Sequence, residues 1–195
     1  MEYILENEAA ASGYKIVCGT DEAGRGPLVG RVYAAAVILP IGCEIEGLND
    51  SKKLTEKKRE KLYDIITEKA ISYGIAYATP QEIDEYNILN ASLLAMRRAI
   101  EMLDPQPDFV LIDGNQNKGF LQHAKAVVKG DSISPSIAAA SILAKVSRDR
   151  SCYELDKQYP EYGFAKHKGY PTKEHYEAIK KYGITPEHRR SFRLE

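Results

Sequence analysis

Asp21 and Glu22 stand side by side where an apolar run, Tyr14 to Cys18, leads into Gly24-Arg25-Gly26. Two adjacent carboxylates repel each other, and burial raises the cost of keeping both charged. Such a pair persists where a cation uses it; the alternative is an exposed acidic turn, the common situation for acidic residues. Glycines after the pair remove the Cβ and let the backbone approach a bound group closely. A cation beside a backbone-lined turn suits chemistry on a phosphodiester. Two further carboxylates sit in comparable places. Asp113 ends the apolar run that starts at Phe109, and Asp131 follows the run Ala124 to Lys129. Carboxylates at strand ends can converge at one edge of a sheet, where sites in open sheets tend to form.

Four carboxylates without clustered His or Cys ligands favour a hard, oxygen-loving ion, so Mg²⁺ or Mn²⁺ is expected and zinc is not. Two such ions ~3.5–4 Å apart can hold the attacking water and the leaving oxygen of a phosphodiester. Neighbours on an ideal strand point to opposite faces. Asp21 and Glu22 therefore share an ion only if the strand ends or twists at that point. Asp149, one residue after Arg148, reads equally as a further functional acid or as one half of a helix-surface ion pair. No Ser-His-Asp or Cys-His arrangement stands out. No Gly-Lys-Ser/Thr follows the glycine turn, which excludes a phosphate-cradling P-loop.

The elements that must position these acids are legible from periodicity. Tyr14 to Thr20 and Gly30 to Leu39 read as strands paired in a hairpin. A helix opens at Thr55, with Leu62, Ile65, Ile66 and Ala70 at helical spacing, and Gly74 is expected to end it. Ile75 to Ala78 is a short strand. Thr79-Pro80-Gln81-Glu82 is a capping box, and a helix is expected over about Asn90 to Leu103. Phe109 to Asp113 and Ala124 to Lys129 are strands. Ser134-Pro135 starts a long helix to about Gln158, with Asp131 just before its positive N-terminal end. After Pro160 the chain becomes Gly-rich and basic, with helices expected at Thr172 to Tyr182 and Pro186 to about Phe192. Strands first as a hairpin and later alternating with helices predict a mixed α/β sheet.

The chain has 195 residues, 44% of them hydrophobic, with a net charge of −1. This suits one domain with a small appendage, expected as a catalytic body over residues 1–160 and a basic helical extension over 161–195. Overall charge gives no hint of nucleic acid. Gly163 to Arg193, however, carries eight Lys or Arg against three Glu, with three His besides. That tail reads either as a footprint for phosphate or as a solvated helical face. The cysteines, Cys18, Cys43 and Cys152, are odd in number and lack metal-like spacing, which fits a reduced, cytoplasmic setting. The N-terminus shows no signal-peptide pattern, and no apolar run is long enough to span a bilayer, so no membrane association is expected.

Together these motifs resemble the bacterial ribonuclease HII family, the type 2 ribonucleases H. The likeness rests on Asp21-Glu22-Ala-Gly-Arg-Gly-Pro-Leu, Asn49-Asp50-Ser51-Lys52-Lys53-Leu54, Ile112-Asp113-Gly114-Asn115, Lys129-Gly130-Asp131 with Ser136 to Asp149, His167-Lys168-Gly169-Tyr170, and His188-Arg189-Arg190-Ser191-Phe192. The resemblance implies a ribonuclease H-like fold, a mixed five-stranded sheet flanked by helices with a C-terminal helical extension. It implies two-metal hydrolysis of RNA paired with DNA, including cutting 5′ of single ribonucleotides in duplex DNA, leaving a 3′-hydroxyl and a 5′-phosphate. Asp21, Glu22, Asp113 and Asp131 would be the metal-binding catalytic acids. Gly24, Arg25 and Gly26 would contact the 2′-hydroxyl, the group that separates RNA from DNA. Tyr170 would pack against the nucleotide beyond the cut, its alternative role being to anchor the tail. Lys52 and Lys53 would meet phosphates. Arg31 and Tyr33 depart from the Pro and small aliphatic residue expected there. A monomer is expected. Two other readings stand beside this one: a DNA-cutting nuclease of the same fold, and a non-catalytic nucleic-acid-binding module.

Overall fold

Strand β2 (Val32–Ile38) is apolar at every position because both of its faces are covered. Val32, Ala34, Ala36 and Ile38 pack with helix α3 (Pro80–Glu101) on one side of the sheet. Ala35 and Val37 pack with helices α2 (Glu56–Lys69) and α4 (Pro135–Gln158) on the other. Full burial of each large aliphatic side chain is worth roughly 1.5–3 kcal/mol, so these two layers fix the sheet between the helices. The computed structural model describes residues 1–195. Its remaining elements are α1 (Ile4–Ala11), β1 (Val17–Ala23), β3 (Ser72–Ala78), β4 (Phe109–Asp113), β5 (His123–Val127), α5 (Phe164–His167) and α6 (Lys173–Tyr182).

The five strands lie in the order β3-β2-β1-β4-β5. β1, β2 and β3 are successively antiparallel, and β4 and β5 run parallel to β1. This is the mixed α/β sheet flanked by helices that the sequence predicts, with the expected β1–β2 hairpin. The departure at Arg31 and Tyr33 is accommodated at the start of β2. Tyr33 pairs with Tyr77 across the strands, and the Arg31 guanidinium lies 4.0 Å from the Tyr77 ring centre.

Helix α4 approaches β1 unusually closely. A Cβ on Gly19 would stand 2.3 Å from the Ile137 nitrogen, and Ala138, Ala139, Ala140 and Ala144 of α4 are all buried in the layer shared with β2 and α2. This small-residue contact brings α4 down onto the strand that carries Asp21.

Four sequence expectations are corrected. Gly74 does not end α2 but lies inside β3. Its missing Cβ makes room for the Ala99 carbonyl, which a Cβ would meet at 2.1 Å. α3 starts at Pro80 on the Thr79 capping box and breaks at Asn87 (φ 67°), whose side-chain oxygen accepts the Asn90 N–H and restarts the helix. Residues 186–192 are not helical: Val29 and His188 form a β-bridge, and Arg189 N–H donates to the Leu28 carbonyl. Finally, β1 continues through Ala23 rather than stopping at Thr20.

α1 escapes sequence detection. Its buried Glu6 reaches the start of α4, where one carboxylate oxygen accepts from Ser134 Oγ at 2.6 Å and Ser136 N–H at 3.2 Å. Glu6 thus places a hydrogen-bonded anion at that helix N-terminus, in addition to Asp131 in the turn just before it. No helix is long and apolar enough to cross a membrane.

Candidate active site

Parallel pairing of β1 with β4, and of β4 with β5, brings three acids to one sheet edge. Thr20 pairs with Ile112, so Asp21 and Asp113 are the next residues along adjacent strands. Asp113 in turn pairs with Val127. Beyond β5 the chain turns through Lys129 in the left-handed region (φ 55°) into a single 3-10 turn, Gly130–Ser132, that carries Asp131. A Cβ on Gly130 would stand 2.5 Å from Ile137 Cδ1 and 3.3 Å from Asp113 Oδ1, so a larger residue here would have to displace the Ile137 side chain. The Asp131 N–H donates to Asp113 Oδ1 at 3.3 Å.

Carboxylate oxygens of Asp21, Asp113 and Asp131 lie within 4.8 Å of one another. Asp21 and Asp131 are each only 5% exposed. Burial, reinforced by Glu22 and Asp113, pushes the Asp21 carboxyl well above the usual carboxylate range, against the opposing Ser141 hydroxyl. Burial, Asp113 and Asp50 likewise raise Asp131, with Lys52 opposing. The donor set is all oxygen, concentrated and desolvated. It is costly without a cation and fits a hard divalent ion.

Glu22 stands apart from this trio. With β1 running through Ala23, Asp21 and Glu22 point to opposite faces, and Glu22 joins Asp113, Gly114 and Asn115 along a small cleft on the α3 side. Arg25 Nη1 lies 3.3 Å from Glu22 Oε1. Burial nevertheless raises the Glu22 carboxyl, Arg25 opposing and Asp113 adding to the rise. Asp113, in the cleft and in the trio alike, stands between the two groups of acids.

Lys52 faces the cluster. Burial alone would lower its ammonium, but Asp131, Asp21, Asp50 and Asp113 reverse that and raise it. Its position is built from below. Ser51 Oγ and Ser141 Oγ share a buried hydrogen bond of 2.8 Å. Arg59 donates to the Ser51 and Leu54 carbonyls at 3.1 and 2.6 Å and pairs with Asp149 at 3.4 Å, while Lys145 pairs with Asp149 at 2.7 Å. Asp149 is thus in an ion pair, but a buried one that braces the Lys52 loop, not a surface pair. Lys53 lies farther out, 3.5 Å from Ser132 Oγ.

Gly24 (φ 98°), Arg25 and Gly26 follow the acids directly, and Arg25 and Gly26 are exposed. Tyr170 lies over this turn: a Cβ on Gly26 would stand 3.3 Å from Tyr170 Cε1. Its side is open, at 42% exposed. A buried chain of hydrogen bonds sets the Tyr170 backbone. Thr185 N–H donates to His188 Nδ1 at 2.9 Å, which leaves His188 Nε2 as donor to His175 Nε2 at 3.1 Å. His175 Nδ1 then donates to the Tyr170 carbonyl at 3.0 Å.

The basic tail divides into unlike parts. Lys166 and Lys173 pair with Glu174 and Glu177, while Lys180, Lys181 and Arg190 remain on the exposed side. Arg189, counted from the sequence among the tail charges that either meet phosphate or form a solvated face, is 0% exposed and does neither. Buried Arg148 and Arg189, the Arg59–Asp149 brace and Glu6 were not identifiable as site supports, because nothing in spacing separates a buried arginine from a surface one.

A family model described as Ribonuclease HII matches residues 18–195. The chain is 56% identical over 189 residues to a ribonuclease HII of Clostridioides difficile, covering 97% of this chain and 74% of that one. It is 61% identical over 178 residues to a ribonuclease HII of Marinomonas sp., covering 91% and 89%. Among solved structures, the ribonuclease H2 of Pyrococcus horikoshii superposes with a TM-score of 0.76 at 30% identity, over 92% of this chain and 95% of that one. The chain belongs to the ribonuclease HII family, metal-dependent endoribonucleases that hydrolyse RNA in RNA/DNA hybrids.

Proposed function

We propose that this protein cuts the RNA strand of hybrids, and cuts 5′ of single ribonucleotides embedded in duplex DNA, at the edge formed by Asp21, Glu22, Asp113 and Asp131. The observation that carries the reading is the convergence of three carboxylates, Asp21 and Asp131 buried and Asp113 half-buried, beside the Gly24-Arg25-Gly26 turn, where Arg25 and Gly26 are exposed. Bound there, two Mg²⁺ or Mn²⁺ ions would lower the pKa of the attacking water and neutralise charge on the leaving 3′-oxygen. Asp21, Asp113 and Asp131 would hold them, with Glu22 completing the set across Asp113. The products are a 3′-hydroxyl and a 5′-phosphate.

The chain's own residues do the selecting. The Arg25 and Gly26 amides meet the 2′-hydroxyl, and the half-open Tyr170 ring takes the nucleotide beyond the cut. Lys52, held toward the acids, meets the scissile phosphate, while Lys53 serves a neighbouring one. Residues 1–160 form the catalytic body and 161–195 a basic extension that supplies Tyr170 and closes over the turn. The protein acts as a monomer in the cytoplasm.

Cleavage with and without Mg²⁺ on three duplexes tests this: all DNA, continuous RNA/DNA hybrid, and DNA with one ribonucleotide. Mg²⁺-dependent cutting of the last two, and none of the first, is expected. Cutting of the all-DNA duplex would point instead to a DNA nuclease on the same fold.

A further inference from the structure

Arg189 is a large cation buried completely, and its guanidinium is directed at backbone. Nη2 donates to the Gly24 carbonyl at 2.6 Å, Nη1 to the Arg25 carbonyl at 3.0 Å and Nε to the Gly30 carbonyl at 2.9 Å. Its own N–H donates to the Leu28 carbonyl at 2.8 Å. Burying a guanidinium away from a carboxylate is costly, and an apolar side chain of similar size would avoid the cost. What the guanidinium offers in exchange is a rigid fork of donors that can gather several carbonyls at set angles.

The consequence lies on the other side of the peptide planes. The Gly24–Arg25 and Arg25–Gly26 bonds are trans, so each N–H points opposite to the preceding C=O. With the Gly24 and Arg25 carbonyls drawn inward onto Arg189, the Arg25 and Gly26 amides are turned outward. Neither donates to another atom of the chain, and both residues are exposed. The same face carries the Tyr170 ring over Gly26. Buried Arg148 lies beneath as well, since a Cβ on Gly24 would meet its Nε at 3.0 Å. Two cations under the turn favour an electron-rich oxygen at its outward amides.

We propose that Arg189 is the positioning residue that holds the Gly24–Gly26 turn with its two free amides aimed at the 2′-hydroxyl, and so sets discrimination between ribose and deoxyribose. The inference rests on the reading of that turn as the ribose contact.

The test is binding in an Asp131→Asn background, which removes cleavage. The probes are a DNA duplex with one embedded ribonucleotide and the all-DNA duplex of the same sequence. Arg189→Lys and Arg189→Gln are expected to reduce the preference for the ribonucleotide duplex by roughly tenfold or more, the scale of one or two well-placed hydrogen bonds, while all-DNA affinity stays put. Arg190→Gln, on the exposed neighbour, is expected to weaken both duplexes alike, through lost phosphate attraction only, and so to leave the preference unchanged. If the background protein itself shows no preference, the ribose-contact reading fails. If it shows one and folded Arg189 variants keep it, the positioning role fails.

Should both variants fail to fold, backbone ¹⁵N relaxation of the unmodified chain decides the matter. Arg25 and Gly26, although exposed and making no amide hydrogen bond, are expected to have order parameters near the rigid value of about 0.85. Values below about 0.6 would show that Arg189 does not fix the turn.

Discussion

The backbone N–H of Asp131 donates to Asp113 Oδ1 at 3.3 Å, so the acid that ends β4 is tied to the acid carried by the turn after β5. The two are held at close range although burial and like charge raise the Asp131 carboxyl. Replacing Asp21 or Asp131 by Asn is expected to abolish cleavage, exceeding the roughly 10–100-fold loss typical of a mere supporting contact. Without divalent ions, the melting temperature of either variant should equal or exceed that of the parent, because one repelling charge is gone. Thermal melts in chelator together with cleavage rates in Mg²⁺ check both halves.

Tyr170→Ala is expected to slow cutting at an embedded ribonucleotide more than it weakens duplex binding. The ring is 42% exposed, so the stability change should stay within about 0.5 kcal/mol. Single-turnover rates at saturating enzyme, set beside Kd and thermal melts, separate the two effects. An activity loss that merely follows lost stability would make Tyr170 an anchor for the tail.

The sequence was informative where a local pattern carried the information. Apolar runs ending in Asp21, Asp113 and Asp131 announce both the strands and the site, and Thr79 to Glu82 announces a helix start. It misled where a distant contact decided. Gly74 reads as a helix stop, but its role is to admit the Ala99 carbonyl across the sheet. Residues 186–192 read as helical, yet pair with the 28–30 segment. Arg189 sits in a basic run whose other members are mostly solvated, and only the fold reveals that it points inward.

That burial changes which tail charges can meet DNA. Lys180→Glu, Lys181→Glu and Arg190→Glu together leave Arg189 and the apolar side of α6 intact. The triple variant is expected to bind duplex more weakly at low salt, with the log–log salt slope shallower by about 0.9 for each phosphate no longer neutralised. Unchanged affinity and slope in a salt titration would assign these three charges to a solvated face.

His188 gives a pH prediction. Burial, then the neighbouring His175, lowers it to about 4, below an unfolded value of about 6.5. Between those values the unfolded chain binds the proton and the folded chain does not. Stability is therefore full above about pH 6.5 and falls as pH drops toward 4, by roughly 3 kcal/mol at most. The raised carboxyls of Asp21, Glu22 and Asp131 act in the opposite sense, since the folded state takes up their protons first. Denaturant melts from pH 7.5 to 4.5 on the parent and on His188→Gln isolate the histidine contribution. The variant, less stable at pH 7.5, should close the gap as the pH falls, and a constant gap would contradict the assignment.

Hydrolysis by a metal-activated water at this edge is read from the chemistry of the ends left on a DNA duplex holding one ribonucleotide. In Mg²⁺ a single cut on the 5′ side of the ribonucleotide is expected. The upstream fragment should end in a 3′-hydroxyl, and the ribonucleotide should carry a 5′-phosphate. A 2′,3′-cyclic phosphate, a cut on the 3′ side, or the same products in chelator would contradict it, because the nucleophile would then not be a water activated at the Asp21, Asp113 and Asp131 edge.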